Sequence, residues 1–390
     1  MCSSDLQGYA LGVRDPDSPR LDVATPADRV ADAEVQIGLE RLDEAEEELL
    51  AALRGADAAG DAATAARAHE ALASIAVRRG NTAAAVDWLE RAIETGERPD
   101  PVERIEVYRN LAQAYSESGR TEPAIALLEE CRAQVERSPD ADPAALVLYS
   151  IWLSHAYGDA GDYGRAAAAL AEALRRDVED IDRRVRAFAY HALARLYCTT
   201  GHTAQALVYA DKQVALTEAG GNEWSTAGAH LVRAHILLDD AQTDAAREAL
   251  ETTRRFYGER MSSLDEGWVV VEEARLALQS SDPDGAVERA REAIELLGTQ
   301  SAPGELGDAY LVLARGYDEL GRADRAESAY AAAIDALRKQ NGWHCELGRA
   351  YRWYGKFLRR AGRAEAAMEA FERAADLAPS NLAVLELPDL

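Results

Sequence analysis

Residues 308–333 read DAYLVLARGYDELGRADRAESAYAAA, and their spacing decides the fold. Around Gly321, a small residue stands seven positions before (Ala314) and an aromatic four before (Tyr317). Ala326 follows five positions after and Ala333 twelve after. Intervals of three, four and seven place these residues on one face of each of two helices. Glycine between them allows the positive φ that ends a helix at little steric cost. The stretch is therefore a helical hairpin whose arms meet through small side chains. The same grammar surrounds Gly119 (Ala112, Tyr115, Ala124, Cys131) and Gly161 (Ser154, Tyr157, Ala166, Ala173). Extended along the chain, the turn marks fall at Glu40, Gly80, Gly119, Gly161, Gly201, Ala241, Ser281, Gly321 and Gly362, every 39 to 42 residues. A sustained period of this size defines a solenoid in which each unit buries its apolar face against its neighbours.

The last unit carries Tyr351-x2-Tyr354-Gly355-x2-Leu358, then Ala367-x3-Phe371 and Pro379. This resembles the tetratricopeptide repeat, although that repeat has a period of about 34 residues. Six additional residues would lengthen the helices of a unit by about 9 Å in total. The resemblance covers residues 26–381. It implies an all-α, right-handed superhelical α-α solenoid of about nine tetratricopeptide-like hairpins, with the first helix of each unit lining a concave groove. Long-period arrays of this kind resemble those attached to bacterial transcription regulators and signalling ATPases. Residues 26–390 are expected to form the array and residues 1–25 an irregular segment.

Composition agrees with a helical body: 48% of residues are hydrophobic, many of them Ala, a strong helix former that permits close helix contact. The net charge of −26 opposes binding to nucleic acid or an anionic membrane. Only Lys212, Lys339 and Lys356 among the 43 basic residues are lysines, a bias resembling GC-rich coding. No apolar run approaches the roughly 18–20 residues of a membrane span, and no signal-peptide pattern opens the chain. Cys2, Cys131, Cys198 and Cys345 have no metal-binding spacing, which suits reduced thiols in a cytoplasmic protein.

The beginning departs from the repeat. Cys2-Ser3-Ser4-Asp5-Leu6 matches what one frame of a common sequencing adapter encodes. Gly8-Tyr9-Ala10-Leu11-Gly12-Val13 resembles the closing helix of a lambda-repressor-type helix-turn-helix domain, while the recognition helix itself has no counterpart here. The alternative is a plain N-terminal tail.

Catalytic motifs are absent: there is no phosphate loop, GxSxG, HExxH or dinucleotide fingerprint. Glu44-Ala45-Glu46-Glu47-Glu48 is a solvated helix face. The pairs Cys198/His202 and His230/His235 lack further ligands, so no metal or cofactor is expected, and no enzyme activity.

One column does stand out. Six positions before each mark, the last six units carry His155, Arg195, His235, Arg275, Arg315 and Lys356; the first three carry Glu34, Ser74 and Gln113. Ten before the mark stand Ile151, His191, Leu231, Val271, Leu311 and Arg352; thirteen before stand Leu148, Phe188, Gly228, Trp268, Asp308 and Arg349. By the resemblance these columns face the groove. A cationic seam flanked by apolar residues suits a protein or peptide ligand with apolar and anionic groups. The competing reading is that Asp159, Asp239, Asp318 and Glu319 neutralise the seam and merely tie units together. If the seam binds, Arg195→Glu with Arg275→Glu abolishes binding and leaves melting unchanged. The expected function is a non-enzymatic binding array, the sensor portion of a helix-turn-helix transcription regulator; the alternative is a free-standing scaffold or adaptor. The aromatic cluster Trp343, Tyr351, Trp353, Tyr354 and Phe357 is open to two readings, a homodimer contact or ordinary core.

Overall fold

A computed structural model of the protein describes residues 24–39, 41–79, 81–95, 100–138, 142–175, 182–258, 261–298, 302–339 and 344–378. The proposed helix-turn-helix remnant at residues 8–13 lies outside them, as do the marks Glu40 and Gly80. The described residues form eighteen helices in nine hairpins and no strands. The first three hairpins are α1 (Pro26–Gly38) with α2 (Leu42–Ala59), α3 (Ala62–Arg78) with α4 (Thr82–Glu94), and α5 (Ile105–Glu117) with α6 (Thr121–Arg137). The middle three are α7 (Pro143–Asp159) with α8 (Tyr163–Arg175), α9 (Arg183–Thr199) with α10 (Thr203–Gly220), and α11 (Glu223–Asp239) with α12 (Thr243–Tyr257). The last three are α13 (Ser263–Gln279) with α14 (Pro283–Leu297), α15 (Pro303–Glu319) with α16 (Ala323–Arg338), and α17 (His344–Arg360) with α18 (Ala364–Asp376).

Each junction has its own chemistry. Between units, a short polar side chain caps the incoming first helix: Asp61, Asn222 and Ser262 each accept from the backbone N–H three residues on, Asp142 and Asp182 from the one two residues on. Within units, the residue after the mark donates its N–H to the carbonyl five residues earlier, as Asp162 does to Tyr157 and Arg322 to Tyr317. That bond needs a left-handed residue at the mark. Glycine supplies it at positions 119, 161, 201, 321 and 362, whereas Ala241 (φ 56°) and Ser281 (φ 61°) adopt it against their Cβ. Ala241→Gly and Ser281→Gly are each expected to raise stability by about 0.5–1 kcal/mol, the relieved strain exceeding the added freedom of the unfolded chain. Urea midpoints of the single variants check this; a fall in both would contradict it.

Small residues before the turn let the arms close. Ala112, Ala194, Ala234, Ala274 and Ala314 are all buried, and a Cβ added at Gly355 would come 2.8 Å from the Phe371 ring. The aromatic column spans units: Tyr115 Oη donates to Glu90 of the preceding hairpin at 2.7 Å, and Tyr157 does the same to Glu129. Consecutive first helices from α7 to α17 touch one another, whereas consecutive second helices do not pack to a comparable degree among the described residues. The first helices therefore form the inner layer of the curve. Curvature is strong enough to bring distant units together. The Tyr163 hydroxyl of α8 lies 3.0 Å from Cys345 Sγ of α17, and Arg349 of α17 reaches within 3.8 Å of Asp239 on α11.

Tyr351 and Phe357 are buried, and Trp353 and Tyr354 pack against the same core cluster. These aromatics serve the last hairpin as core; Trp343 lies outside the described residues.

Candidate binding groove

The inner layer divides the cationic seam into three groups. In the centre, His235, Arg275 and Arg349 join carboxylates from neighbouring units. Arg275 is buried and donates to Glu272 at 2.7 Å and to Asp239; Arg349 donates to both oxygens of Asp308, at 2.8 and 3.0 Å. His235 Nδ1 lies 2.7 Å from Glu272 Oε1 and 2.8 Å from Arg275 Nη1. One nitrogen cannot donate to the first and accept from the second. The carboxylate decides: burial alone would lower the His235 pKa, but Glu272 outweighs it, against the repulsion of Arg275, and raises it to about 10. Asp239 would be raised by burial, yet Arg275, His235 and Arg349 hold it below the usual carboxylate range. This third of the seam is structural pairing, with Asp239 in the neutralising role. Arg275 is consequently unsuited to a charge-reversal test, because its loss would unbalance a buried network.

At the early end, His155 and Arg195 are exposed on the inner helices, while His191 is buried and its Nε2 has no partner among the described residues. Burial, and then Arg195, keeps His191 well below the ordinary histidine pKa. His155 is lowered too, first by the protein crowded around it and then by Arg195. Burial raises Asp159 to about 7, against a hydrogen bond from Ser116 and the charge of Arg195.

At the late end, the Arg315 guanidinium carbon and Lys356 Nζ each lie 4.0 Å from the centroid of the Trp353 ring. Arg315 Nε has no hydrogen-bond partner among the described residues. Arg195, Arg315, Arg352 and Lys356 form no ion pair among the described residues. Of the remaining sequence candidates, Arg352 is exposed on α17, and Trp268 is half-buried against two core clusters. Asp318 pairs with Arg360.

Protonation follows with opposite signs. The raised His235 contributes stability that is full below the unfolded value of about 6.5 and is lost as pH rises through about 10. The lowered His191 contributes stability that is present above about 6.5 and is lost as pH falls towards its folded value. In the metal-free protein, histidine-selective NMR should find His235 as imidazolium at pH about 8 and His191 neutral at pH about 5.5; the reverse assignment would refute the network.

Two participants had no sequence signal as carboxylate partners: Glu272, one turn before Arg275 on α13, and Asp308, which the column reading placed in the groove without a role. Cys198 was also missed. It stands with His235 and Asp239 of the next unit, and its Sγ lies 3.4 Å from Asp239 Oδ2.

Family models of the tetratricopeptide repeat match residues 31–101, 105–131 and 311–381. The chain is a tetratricopeptide-like helical-repeat solenoid. A solved Rap protein complexed with competence and sporulation factor is similar over 90% of this chain and 97% of that one, with a TM-score of 0.56 and 14% identity. The apo form of RapI is similar over 70% and 96%, with a TM-score of 0.55 and 9% identity. At these identities the likeness is one of fold. No curated protein matches the sequence. No described helix is long and apolar enough to cross a membrane.

Proposed function

We propose that the inner face of units four to nine binds a protein or peptide segment bearing both apolar and anionic groups. The observation that carries this reading is the set of cations on that face, Arg195, Arg315, Arg352 and Lys356, which lack ion-pair partners among the described residues in a chain of charge −26. Unpaired guanidinium and ammonium groups held on rigid helices are ready donors to carboxylates. The paired centre between them fixes the spacing of the two open ends. The solved Rap protein complexed with competence and sporulation factor, of the same fold, gives this reading a precedent. We further propose that the array is the sensor portion of a cytoplasmic helix-turn-helix regulator, and that ligand occupancy shifts the superhelical pitch and so biases the attached domain.

The test is fluorescence anisotropy against a library of acidic, leucine-containing peptides with free C-termini. Arg195→Glu with Lys356→Glu is expected to weaken the best binder at least about 30-fold, two lost charge-assisted contacts of about 1 kcal/mol each, with helicity and melting unchanged. Undiminished affinity would end the groove reading. Sequence upstream of codon 1 tests the regulator: an open frame with no helix-turn-helix pattern would end it.

A further inference from the structure

We propose that Cys198, His235 and Asp239 form a three-ligand site for a zinc ion inside the groove. The three side chains come from facing inner helices, Cys198 from the last turn of α9 and the other two one turn apart on α11. Their ligand atoms all lie within 4.8 Å of one another. Both Cys198 Sγ and His235 Nε2 approach the same oxygen, Asp239 Oδ2, at 3.4 and 3.9 Å. A tetrahedral zinc with bonds of about 2.3 Å to sulfur and about 2.0 Å to nitrogen and oxygen sets S···O at about 3.5 Å and N···O at about 3.3 Å. The sulfur–oxygen distance already fits, the nitrogen–oxygen pair must close by about 0.6 Å, and the sulfur–nitrogen pair, within 4.8 Å, must reach about 3.5 Å.

The surroundings support the same assignment. The nitrogen of His235 that would not bind metal, Nδ1, is beside the buried carboxylate of Glu272. A carboxylate there orients a ligating imidazole and increases its basicity. The oxygen of Asp239 left over, Oδ1, is held by Arg275. Charge balances as well. Binding releases the Cys198 thiol proton and the His235 Nε2 proton to solvent; Glu272 and Asp308 then offset Arg275 and Arg349, and the thiolate and the Asp239 carboxylate are the dication's own counter-charges. A thiolate, an imidazole and one carboxylate are zinc's ordinary donors, and three of them leave a fourth position for water or for a donor atom of a groove ligand. The site stands without any ligand in the groove, so it survives failure of the peptide reading.

Cobalt(II) is the probe. Titrated into the reduced full chain, one equivalent should give visible bands of tetrahedral intensity and a sulfur-to-cobalt charge-transfer band, both removed by added zinc. Cys198→Ser should abolish the charge-transfer band and weaken binding at least about 100-fold, with circular dichroism unchanged. Asp239→Asn, which retains the thiol, should keep the band and weaken binding at least about 10-fold. Cys2→Ser and Cys345→Ser should change nothing; burial already pushes the Cys345 thiol up to about 11, against its hydrogen bond with Tyr163. Absence of the charge-transfer band in the natural protein, its survival in Cys198→Ser, or its loss in Cys345→Ser would each overturn the site.

Discussion

Glu272→Ala lowers the stability of the array by about 3–5 kcal/mol, the cost of leaving buried charge unpaired. Its carboxylate is almost wholly buried and is shared by His235 at 2.7 Å and Arg275 at 2.7 Å. Removing it leaves Arg275 with Asp239 alone and brings two cationic groups face to face. The measurement is a urea titration followed by circular dichroism, together with hydrogen exchange on α11 and α13, where protection should fall first. Two controls separate charge from packing. Glu46→Ala breaks an exposed pair with Arg79 and should cost under about 1 kcal/mol. Replacing His235, Glu272 and Arg275 together by apolar residues of similar volume should recover much of the loss. A Glu272→Ala midpoint no lower than that of Glu46→Ala would mean that the network contributes nothing.

Tyr330→Ala costs a similar amount, about 3–5 kcal/mol, for a different reason: it opens a cavity. Tyr330 has no exposed surface, and its ring packs 5.6 Å from Tyr354 and 5.5 Å from Phe357, joining α16 to α17. The companion variant makes the prediction sharp. Tyr330 Oη is buried without a hydrogen-bond partner among the described residues, so Tyr330→Phe removes a desolvated hydroxyl and should stabilise by about 1 kcal/mol. Opposite signs from two truncations of one side chain distinguish apolar packing from polar contact. Destabilisation by Tyr330→Phe of more than about 1 kcal/mol would show that the hydroxyl is satisfied.

The hairpins were legible in the sequence because each uses the same few local devices. A small residue, an aromatic and a left-handed turn recur at fixed offsets, and offsets are what a sequence displays. Ala241 and Ser281 show the limit: register alone marks them as turns, since their side chains argue against the backbone they adopt. The basic column was legible as a column, but its division was not. Arg195 and Arg275 occupy equivalent places in the repeat, yet one is exposed and the other buried in a network. The difference lies in Glu272, three residues before Arg275, and in curvature that brings α17 across the groove. Neither belongs to the repeat grammar. The Cys198, His235 and Asp239 cluster escaped notice because its members are 37 and 41 residues apart, nearly one period, and only stacking superimposes them.

The meeting of Tyr163 with Cys345 bears on how the chain reaches this shape. Stacked hairpins have low contact order, so folding can begin at several places and spread by local steps. A contact spanning 182 residues is of another kind. It forms only after the four intervening hairpins have acquired their final curvature, since the entropy of closing so long a loop is otherwise unrewarded. The last hairpin therefore docks in a late and separate step. Refolding followed at α17 should lag behind refolding followed at α7, and that lag measures the time the superhelix takes to wind.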